Sequence, residues 1–171
     1  MTSIVLIGVP GAGKSTIGEL ISAHLGRQFI DSDHVIEQRA GKAISDIFTT
    51  DGEPAFRELE ASCIADILKG PDSVVSLGGG ALGNEGTRDL IKDHTVLWLQ
   101  TGLSAAVDRV GLNRNRPLLL GNVRGQLAGL MAAREPIYRE AADLVVDTSE
   151  LTIDEVTHEA IRVLAQAGIT E

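Results

Sequence analysis

Short apolar runs rich in β-branched residues alternate along this chain with longer segments in which apolar positions recur at helical spacing. The short runs have the length and composition of buried strands, and the longer segments those of amphipathic helices. The predicted strands are residues 3–8, 28–31, 73–78, 95–100 and 144–147. The predicted helices are residues 14–25, 33–40, 53–69, 84–92, 103–110, 122–140 and 152–167.

Near-continuous apolar strands separated by helices indicate a parallel sheet that is covered on both faces. We therefore expect an α/β fold, a three-layer α/β/α sandwich built around a five-stranded parallel sheet. The sequence contains no repeat, no low-complexity tract and no long linker, so we expect residues 1–171 to form a single domain.

The segment GVPGAGKS, residues 8–15, follows the first predicted strand and begins the first predicted helix. It fits G-x-x-x-x-G-K-[ST] at every specified position and in the required context. Its glycines let backbone amides face a phosphate, and the helix adds the positive end of its dipole. We expect a P-loop NTPase fold in which Lys14 reaches the β- and γ-phosphates and Ser15 binds Mg²⁺. The predicted nucleotide-binding residues of the loop are Gly11, Ala12, Gly13, Lys14, Ser15 and Thr16.

Composition and charge restrict the partners. The formal net charge of −9 and the pI of about 4.9 argue against binding to nucleic acid or to an anionic membrane. The first apolar run is too short for a signal peptide or a membrane span. Cys63 is the single cysteine and cannot form an intramolecular disulfide. We expect a cytoplasmic protein and, because no sustained heptad pattern occurs, a monomer.

A P-loop does not by itself name a function, because switches, motors and small-molecule kinases all use one. The guanine-recognition pattern N-K-x-D is absent from the sequence, and the size favours a compact kinase that phosphorylates a metabolite. The segment GLNRNRPLLLGN, residues 111–122, combines Gly, Asn, Pro and two arginines. This composition is typical of a surface loop and also of a mobile lid, which we place at residues 111–124.

Two arginines and a triple glycine suggest how an acceptor would be held. Arg57 lies in GEPAFRELE and Arg134 in MAAREPIYRE, while Gly78–Gly80 end a predicted strand. Guanidinium groups bind carboxylates in bidentate fashion, and glycines let the backbone approach a ligand closely. Each feature also has a simpler interpretation: Arg57 pairs with Glu60 in solvent, and the glycines form only a turn. Together they favour a carboxylated acceptor.

Taken together, the motifs resemble those of the shikimate kinase family. The segments GVPGAGKST, DSDHVIE, ISDIFTTDGEPAFRELE, SLGGG, RNRPLL and REPIYRE occur in that family's order and spacing. The resemblance extends from residue 3 to about residue 148. It implies an acceptor-binding region at residues 33–60 and a shikimate pocket formed by Asp33, Arg57, Gly78, Gly79, Gly80 and Arg134.

The resemblance also implies a role for each of these side chains. Arg57 and Arg134 would hold the ring carboxylate, and Glu60 would orient Arg57. Phe48 and Phe56 would form an apolar wall. On the nucleotide side, Arg116 would close over the phosphates from the lid and Arg109 would pack on the adenine.

Asp31 and Asp33, in FIDSDHVIE, separate into two roles under this interpretation. Asp31 follows a strand and would support Mg²⁺ together with Ser15. Asp33 would bind the ring hydroxyls and so position the acceptor, either in that role alone or also as the base that accepts the hydroxyl proton, and it would cap its helix. Lys14, Asp33 and Arg116 are thus the predicted catalytic residues.

The implied activity is ATP-dependent phosphorylation of the 3-hydroxyl of shikimate, with Mg²⁺ as cofactor. Two other functions are compatible with the same P-loop. A P-loop kinase for another acidic metabolite, such as gluconate, would share the phosphate-binding loop without needing the DSD, GE-x-x-FR and GGG segments. A nucleotide-hydrolysing regulatory switch would turn over slowly whatever acid is added.

Overall fold

A computed structural model describes residues 2–111 and 122–170 of the chain. Its five strands are β1 (Ile4–Ile7), β2 (Phe29–Asp31), β3 (Val74–Ser76), β4 (Thr95–Gln100) and β5 (Leu144–Asp147). They form one sheet in the order β2-β3-β1-β4-β5, and all four neighbouring pairs are parallel. The predicted five-stranded parallel sheet is therefore confirmed.

The helices connect the strands and cover the sheet. They are α1 (Lys14–Leu25), α2 (Ser32–Ala40), α3 (Ile44–Thr50), α4 (Glu53–Lys69), α5 (Glu85–Ile91), α6 (Leu103–Gly111), α7 (Val123–Ala141) and α8 (Ile153–Gln166). A single 3₁₀ turn, Ala81–Gly83, follows β3. The sequence pattern does not predict α3, because its seven residues span only about two turns and are fewer than a periodicity assignment needs.

The core lies on both faces of the sheet, which confirms the three-layer sandwich. Ile4 and Leu6 of β1 pack with α1 and α8, whereas Val5 and Ile7 pack with α4, α5 and α7 on the opposite face. All four side chains are at most 1% exposed. Burial of an aliphatic side chain of this size stabilises the fold by about 1.5–3 kcal/mol, so the central strand is firmly anchored.

A smaller apolar cluster joins the three helices that lie between β2 and β3. It consists of Ile36 of α2, Ile47 of α3, and Phe56 and Cys63 of α4, all of them buried. Cys63 is thus a small core residue, and its burial raises the pKa of the thiol. This cluster fixes the three helices beside the end of β2, where the acceptor region is predicted.

The strand order places two loops next to each other. β1 lies between β3 and β4, so the order reverses beside β1, and ligands of open α/β sheets bind at such a reversal. The P-loop follows β1, and the triple glycine follows β3. None of the helices within residues 2–111 and 122–170 is long and apolar enough to cross a membrane.

Candidate active site

The P-loop forms a tight turn between β1 and α1. Gly13 precedes α1 with φ 87° and ψ 20°, a left-handed conformation that residues with a Cβ rarely adopt. The Lys14 ammonium folds back and donates to the carbonyl oxygens of Gly8 at 2.7 Å and Val9 at 3.1 Å. The loop therefore has the shape of a phosphate-binding turn, with its lysine held against the backbone.

The other predicted P-loop residues differ in solvent exposure. The Ala12 side chain is 2% exposed and belongs to the core cluster beside α1 and α8, so its methyl group anchors the loop. Ser15 and Thr16, in the first turn of α1, are exposed. They lie at the N-terminus of the helix, where an anion is favoured.

The two aspartates after β2 have different partners. The Ser15 hydroxyl donates to Asp31 Oδ2 at 3.0 Å, and the backbone N–H of Asp33 donates to Asp31 Oδ1 at 3.0 Å. The prediction that Asp33 caps its helix is therefore wrong, because α2 begins at Ser32 and Asp31 is its N-cap. The Asp33 carboxylate lies beside Gly78, the first residue of the triple glycine.

The first and the last of the three glycines lie against residues of the acceptor-side helices. A methyl group on Gly78 would lie 3.0 Å from Asp33 Oδ1 and 3.1 Å from Glu60 Oε2. A methyl group on Gly80 would lie 2.5 Å from Arg57 Nη2 and 2.8 Å from Nη1. The contacts at Gly80 are shorter than real Cβ atoms show, and those at Gly78 are tighter than most, so the missing side chains make room for the guanidinium group and the carboxylates.

The middle glycine lies between the acceptor side and the P-loop. A methyl group on Gly79 would lie 2.8 Å from Arg134 Nη1, 3.2 Å from Cδ of Pro10 and 3.6 Å from the Gly8 carbonyl oxygen. The structure thus brings Asp33, Arg57 and Arg134 to the triple glycine, and the triple glycine to the phosphate-binding loop.

Arg57 forms an ion pair with a buried carboxylate. Its Nη1 donates to Glu60 Oε1 at 2.7 Å, and the Glu60 side chain is 4% exposed. Burial raises the pKa of Glu60, while the hydrogen bond and charge of Arg57 oppose the rise. Arg57 is 29% exposed and lies 5.1 Å from the centroid of the Phe56 ring. The simpler interpretation, a solvent pair, therefore does not describe this contact.

The two predicted phenylalanines lie side by side. The ring centroids of Phe48 in α3 and Phe56 in α4 are 4.6 Å apart and tilted by 37°. Phe56 is buried, whereas Phe48 is partly buried against the same cluster. They form an apolar surface next to Arg57.

On the nucleotide side, Arg109 joins the P-loop to the end of β5. Its Nη1 donates to the Gly11 carbonyl at 3.1 Å and to Thr148 Oγ1 at 3.1 Å, and its Nη2 donates to the Thr148 carbonyl at 2.9 Å. Thr148 is fully buried, and its hydroxyl pairs with that of Thr101 at 2.8 Å. The sequence gives no signal for Thr148 beyond its position after a strand.

A second residue that the sequence does not single out is Tyr138. It is 2% exposed, and its hydroxyl donates to the Gly79 carbonyl at 2.5 Å. Its spacing of one helical turn from Arg134 is the signal that would identify it, since such residues share a helix face. Arg116 and most of the predicted lid lie outside the described residues.

The fold and the site together define a P-loop kinase. The shikimate kinase family model matches residues 10–165 of the chain. A shikimate kinase of Thermobifida fusca is 48% identical over 164 residues, which cover 96% of this chain and 95% of the relative. One of Mycobacterium avium is 47% identical over 146 residues, which cover 85% and 83% of the two chains. The chain belongs to the shikimate kinase family.

Solved structures agree with this assignment. The shikimate kinase from Acinetobacter baumannii in complex with shikimate has a TM-score of 0.94 and 31% sequence identity, covering 99% of this chain and 96% of that one. A gluconokinase from Sinorhizobium meliloti has a TM-score of 0.63 and 22% identity, covering 97% and 93% of the two chains. The latter similarity extends to the fold alone. The family assignment therefore does not support the two alternative functions, a kinase for gluconate and a regulatory switch.

Proposed function

We propose that the chain transfers the γ-phosphoryl group of ATP to the 3-hydroxyl of shikimate, giving shikimate 3-phosphate and ADP. The observation that carries this proposal is the position of Gly79, which lies next to both Arg134 and the P-loop residues Pro10 and Gly8. An acceptor bound beside the arginines would therefore adjoin the phosphates of a nucleotide held by the P-loop. Such proximity is the main contribution a kinase makes to transfer.

The acceptor pocket would bind shikimate through both charge and shape. Arg57 and Arg134 would hold the ring carboxylate, since each guanidinium group lies against the triple glycine. Glu60 supports this role because its ion pair with Arg57 fixes the orientation of the guanidinium group. Asp33 would hydrogen-bond the ring hydroxyls and take the proton of the attacking hydroxyl.

The donor site would use the P-loop amides from Gly11 to Thr16 to hold the phosphates. In this proposal Lys14 exchanges its bonds to the Gly8 and Val9 carbonyls for bonds to the β- and γ-phosphates. Arg109 would present its guanidinium plane to the adenine while it remains bonded to the loop and to Thr148.

Arg116 belongs to the same proposal by its sequence position in the lid. There it would close over the γ-phosphoryl group and add a positive charge as negative charge develops during transfer. Closure would also exclude water, which would otherwise compete with shikimate for the phosphoryl group.

A magnesium ion fits the oxygen atoms beside the P-loop. Ser15 Oγ and Asp31 Oδ2 lie 3.0 Å apart, and a hydroxyl and a carboxylate are ligands that Mg²⁺ accepts alongside phosphate oxygens. When bound, the ion would neutralise phosphate charge. Within residues 2–111 and 122–170, no group of three or more His, Cys, Asp and Glu side chains is placed to hold a metal ion, so the proposal includes the nucleotide among its ligands.

We also propose that residues 1–171 act as one domain, as a monomer and in the cytoplasm. Cys63 supports the last point, because it is buried and unpaired, as expected in a reducing compartment. The net charge of −9 supports the absence of nucleic-acid and anionic-membrane partners.

The test follows ADP release from Mg-ATP in parallel reactions with shikimate, with gluconate and with no acceptor. We expect rapid ADP release with shikimate only, and ³¹P NMR of the product should show a phosphate ester at the 3-position. Arg134→Ala should lower kcat/KM for shikimate by about a hundredfold, because a charged contact is lost.

The matched control is Arg139→Ala in the same helix, whose side chain pairs with Glu135 at the surface. It should leave kcat/KM within about twofold of the unchanged chain. Equal turnover with gluconate, or ADP release indifferent to any acceptor, would contradict the proposed function.

A further inference from the structure

Tyr138 is a buried polar residue that takes no direct part in the proposed reaction. It lies in α7 one helical turn after Arg134, and its side chain is enclosed in the core cluster that includes Trp98. The centroids of the two rings are 5.9 Å apart. Because the side chain is only 2% exposed, the core restricts where its hydroxyl can lie.

The hydroxyl makes a defined contact with the triple glycine. It donates to the Gly79 carbonyl at 2.5 Å, and this carbonyl belongs to the glycine that lies against both Arg134 and the P-loop residue Pro10. Glycine has no side chain through which the core could hold it. The hydrogen bond from Tyr138 is thus a direct link between the core and the peptide at the centre of the site.

The same hydroxyl lies next to the guanidinium group of Arg134. Burial raises the pKa of Tyr138 to about 12, while the charge and hydrogen bond of Arg134 oppose the rise. The phenol therefore keeps its proton at neutral pH and remains a donor to Gly79 while it contacts the arginine. One oxygen atom joins two parts of the acceptor pocket.

We propose that Tyr138 is a positioning residue for the acceptor, which holds the Gly79 carbonyl and the Arg134 guanidinium group in one fixed arrangement. This inference rests on the proposed function, because it assigns Arg134 to the acceptor carboxylate. Tyr138 acts through these two groups and does not itself contact the substrate. Its hydroxyl, and not only the packing of its ring, supports the binding of a carboxylated acceptor.

The experiment compares Tyr138→Phe with the unchanged chain in steady-state kinetics with shikimate and Mg-ATP. Phenylalanine keeps the ring in the core and removes only the oxygen atom. We expect the KM for shikimate to rise about tenfold, which is the upper range for one hydrogen bond, while the KM for ATP changes less than about twofold. Calorimetric titration of the nucleotide-free protein with shikimate should give the same rise in Kd.

Trp98→Phe is the matched control, because it alters the packing around Tyr138 without removing the hydroxyl. Its KM for shikimate should stay within about twofold of the unchanged chain, even where its melting temperature falls. A drop in melting temperature in Tyr138→Phe without a change in the KM for shikimate would overturn the proposal, since the hydroxyl would then be only structural.

A second comparison tests the route through Arg134. In an Arg134→Ala background, Tyr138→Phe should lower kcat/KM for shikimate by a smaller factor than in the unchanged chain, because one of the two groups that Tyr138 positions is already missing. Fully additive losses would overturn the proposal. Absence of shikimate-dependent ADP release in the unchanged chain would instead contradict the proposed function, so the two failures are distinguishable.

Discussion

The hydroxyl of Ser15 donates to a carboxylate oxygen of Asp31 at 3.0 Å, which joins the first turn of α1 to the end of β2. The other oxygen of Asp31 accepts the backbone N–H of Asp33 and caps α2. One carboxylate therefore fixes the start of the acceptor-side helix and faces the residue predicted to bind Mg²⁺. The two functions of Asp31, capping and charge, can be separated by substitution.

Asp31→Asn should separate them. Asparagine caps helices as well as aspartate does, so the melting temperature should stay near that of the unchanged chain. The loss of negative charge should raise the Mg²⁺ concentration for half-maximal activity about tenfold or more. The measurement is a magnesium titration at saturating ATP and shikimate.

Asp46→Asn is the control for this substitution, because it also removes a carboxylate from the first turn of a helix, but in α3. Its magnesium dependence should match the unchanged chain. If Asp31→Asn needs no more magnesium than this control, the assignment of Asp31 to the metal site is wrong.

The contact between Gly80 and Arg57 gives a second prediction. A methyl group on Gly80 would lie 2.5 Å from Arg57 Nη2, and the backbone of Gly80, at φ −101° and ψ 4°, accepts an alanine without strain. In Gly80→Ala the flexible guanidinium group should move, which keeps the protein folded. We expect the KM for shikimate to rise about 10- to 100-fold, because small displacements of a binding group are costly.

Gly83→Ala provides the comparison for that experiment. It changes glycine to alanine in the same short segment, and its added methyl group would meet nothing within 4 Å. Its KM for shikimate should be unchanged. Equal kinetics of the two variants would show that Arg57 does not need its position against Gly80.

The sheet could be predicted from sequence because each strand carries its own signal. The run TVLWLQ is apolar almost throughout, and its predicted bounds agree with β4, Thr95–Gln100. The helix α3 could not be predicted in this way, because Ile47 is its single buried residue and the segment spans about two turns. Its stability comes from contacts with α2 and α4, which a local pattern does not contain.

In the candidate site, too, the local features could be predicted from the sequence and the contacts between distant residues could not. The P-loop is contiguous in sequence, so its motif alone predicts the turn and the helix that follows. The contacts of Gly79 with Arg134 and Tyr138 join residues far apart in the chain, and neither spacing nor composition encodes them. The resemblance to a family supplied the role of Arg134, whereas Tyr138 and Thr148 carry only weak sequence signals, a spacing of one helical turn from Arg134 and a position after a strand.

The bonds of Arg109 to Gly11 and Thr148 give a third prediction. Arg109→Lys keeps the positive charge and loses the planar fork that reaches both partners. The KM for ATP should rise about tenfold, whereas the KM for shikimate should change less than about twofold. Arg27→Lys is a suitable control, since Arg27 also donates to a backbone carbonyl, that of Thr2, away from the site. If Arg109→Lys raised the KM for shikimate as much as the KM for ATP, the assignment of Arg109 to the nucleotide alone would be wrong.

Glu60 gives a prediction about pH and stability. Burial raises its pKa above the ordinary value of 4.5, so above pH 4.5 the folded state retains a proton that the unfolded state has lost. Stability therefore falls as pH rises from 4.5 through the raised pKa, and it is constant above that. The melting temperature of the unchanged chain should therefore fall relative to that of Glu60→Gln as pH rises through this window.

Glu155→Gln is the comparison, because hydrogen bonds from Thr152 lower the pKa of Glu155. Below pH 4.5 the melting temperature of the unchanged chain should rise relative to that of Glu155→Gln as pH increases. If the melting temperature of the unchanged chain instead rises relative to that of Glu60→Gln as pH increases, the effect of Arg57 on the pKa of Glu60 is larger than the effect of burial.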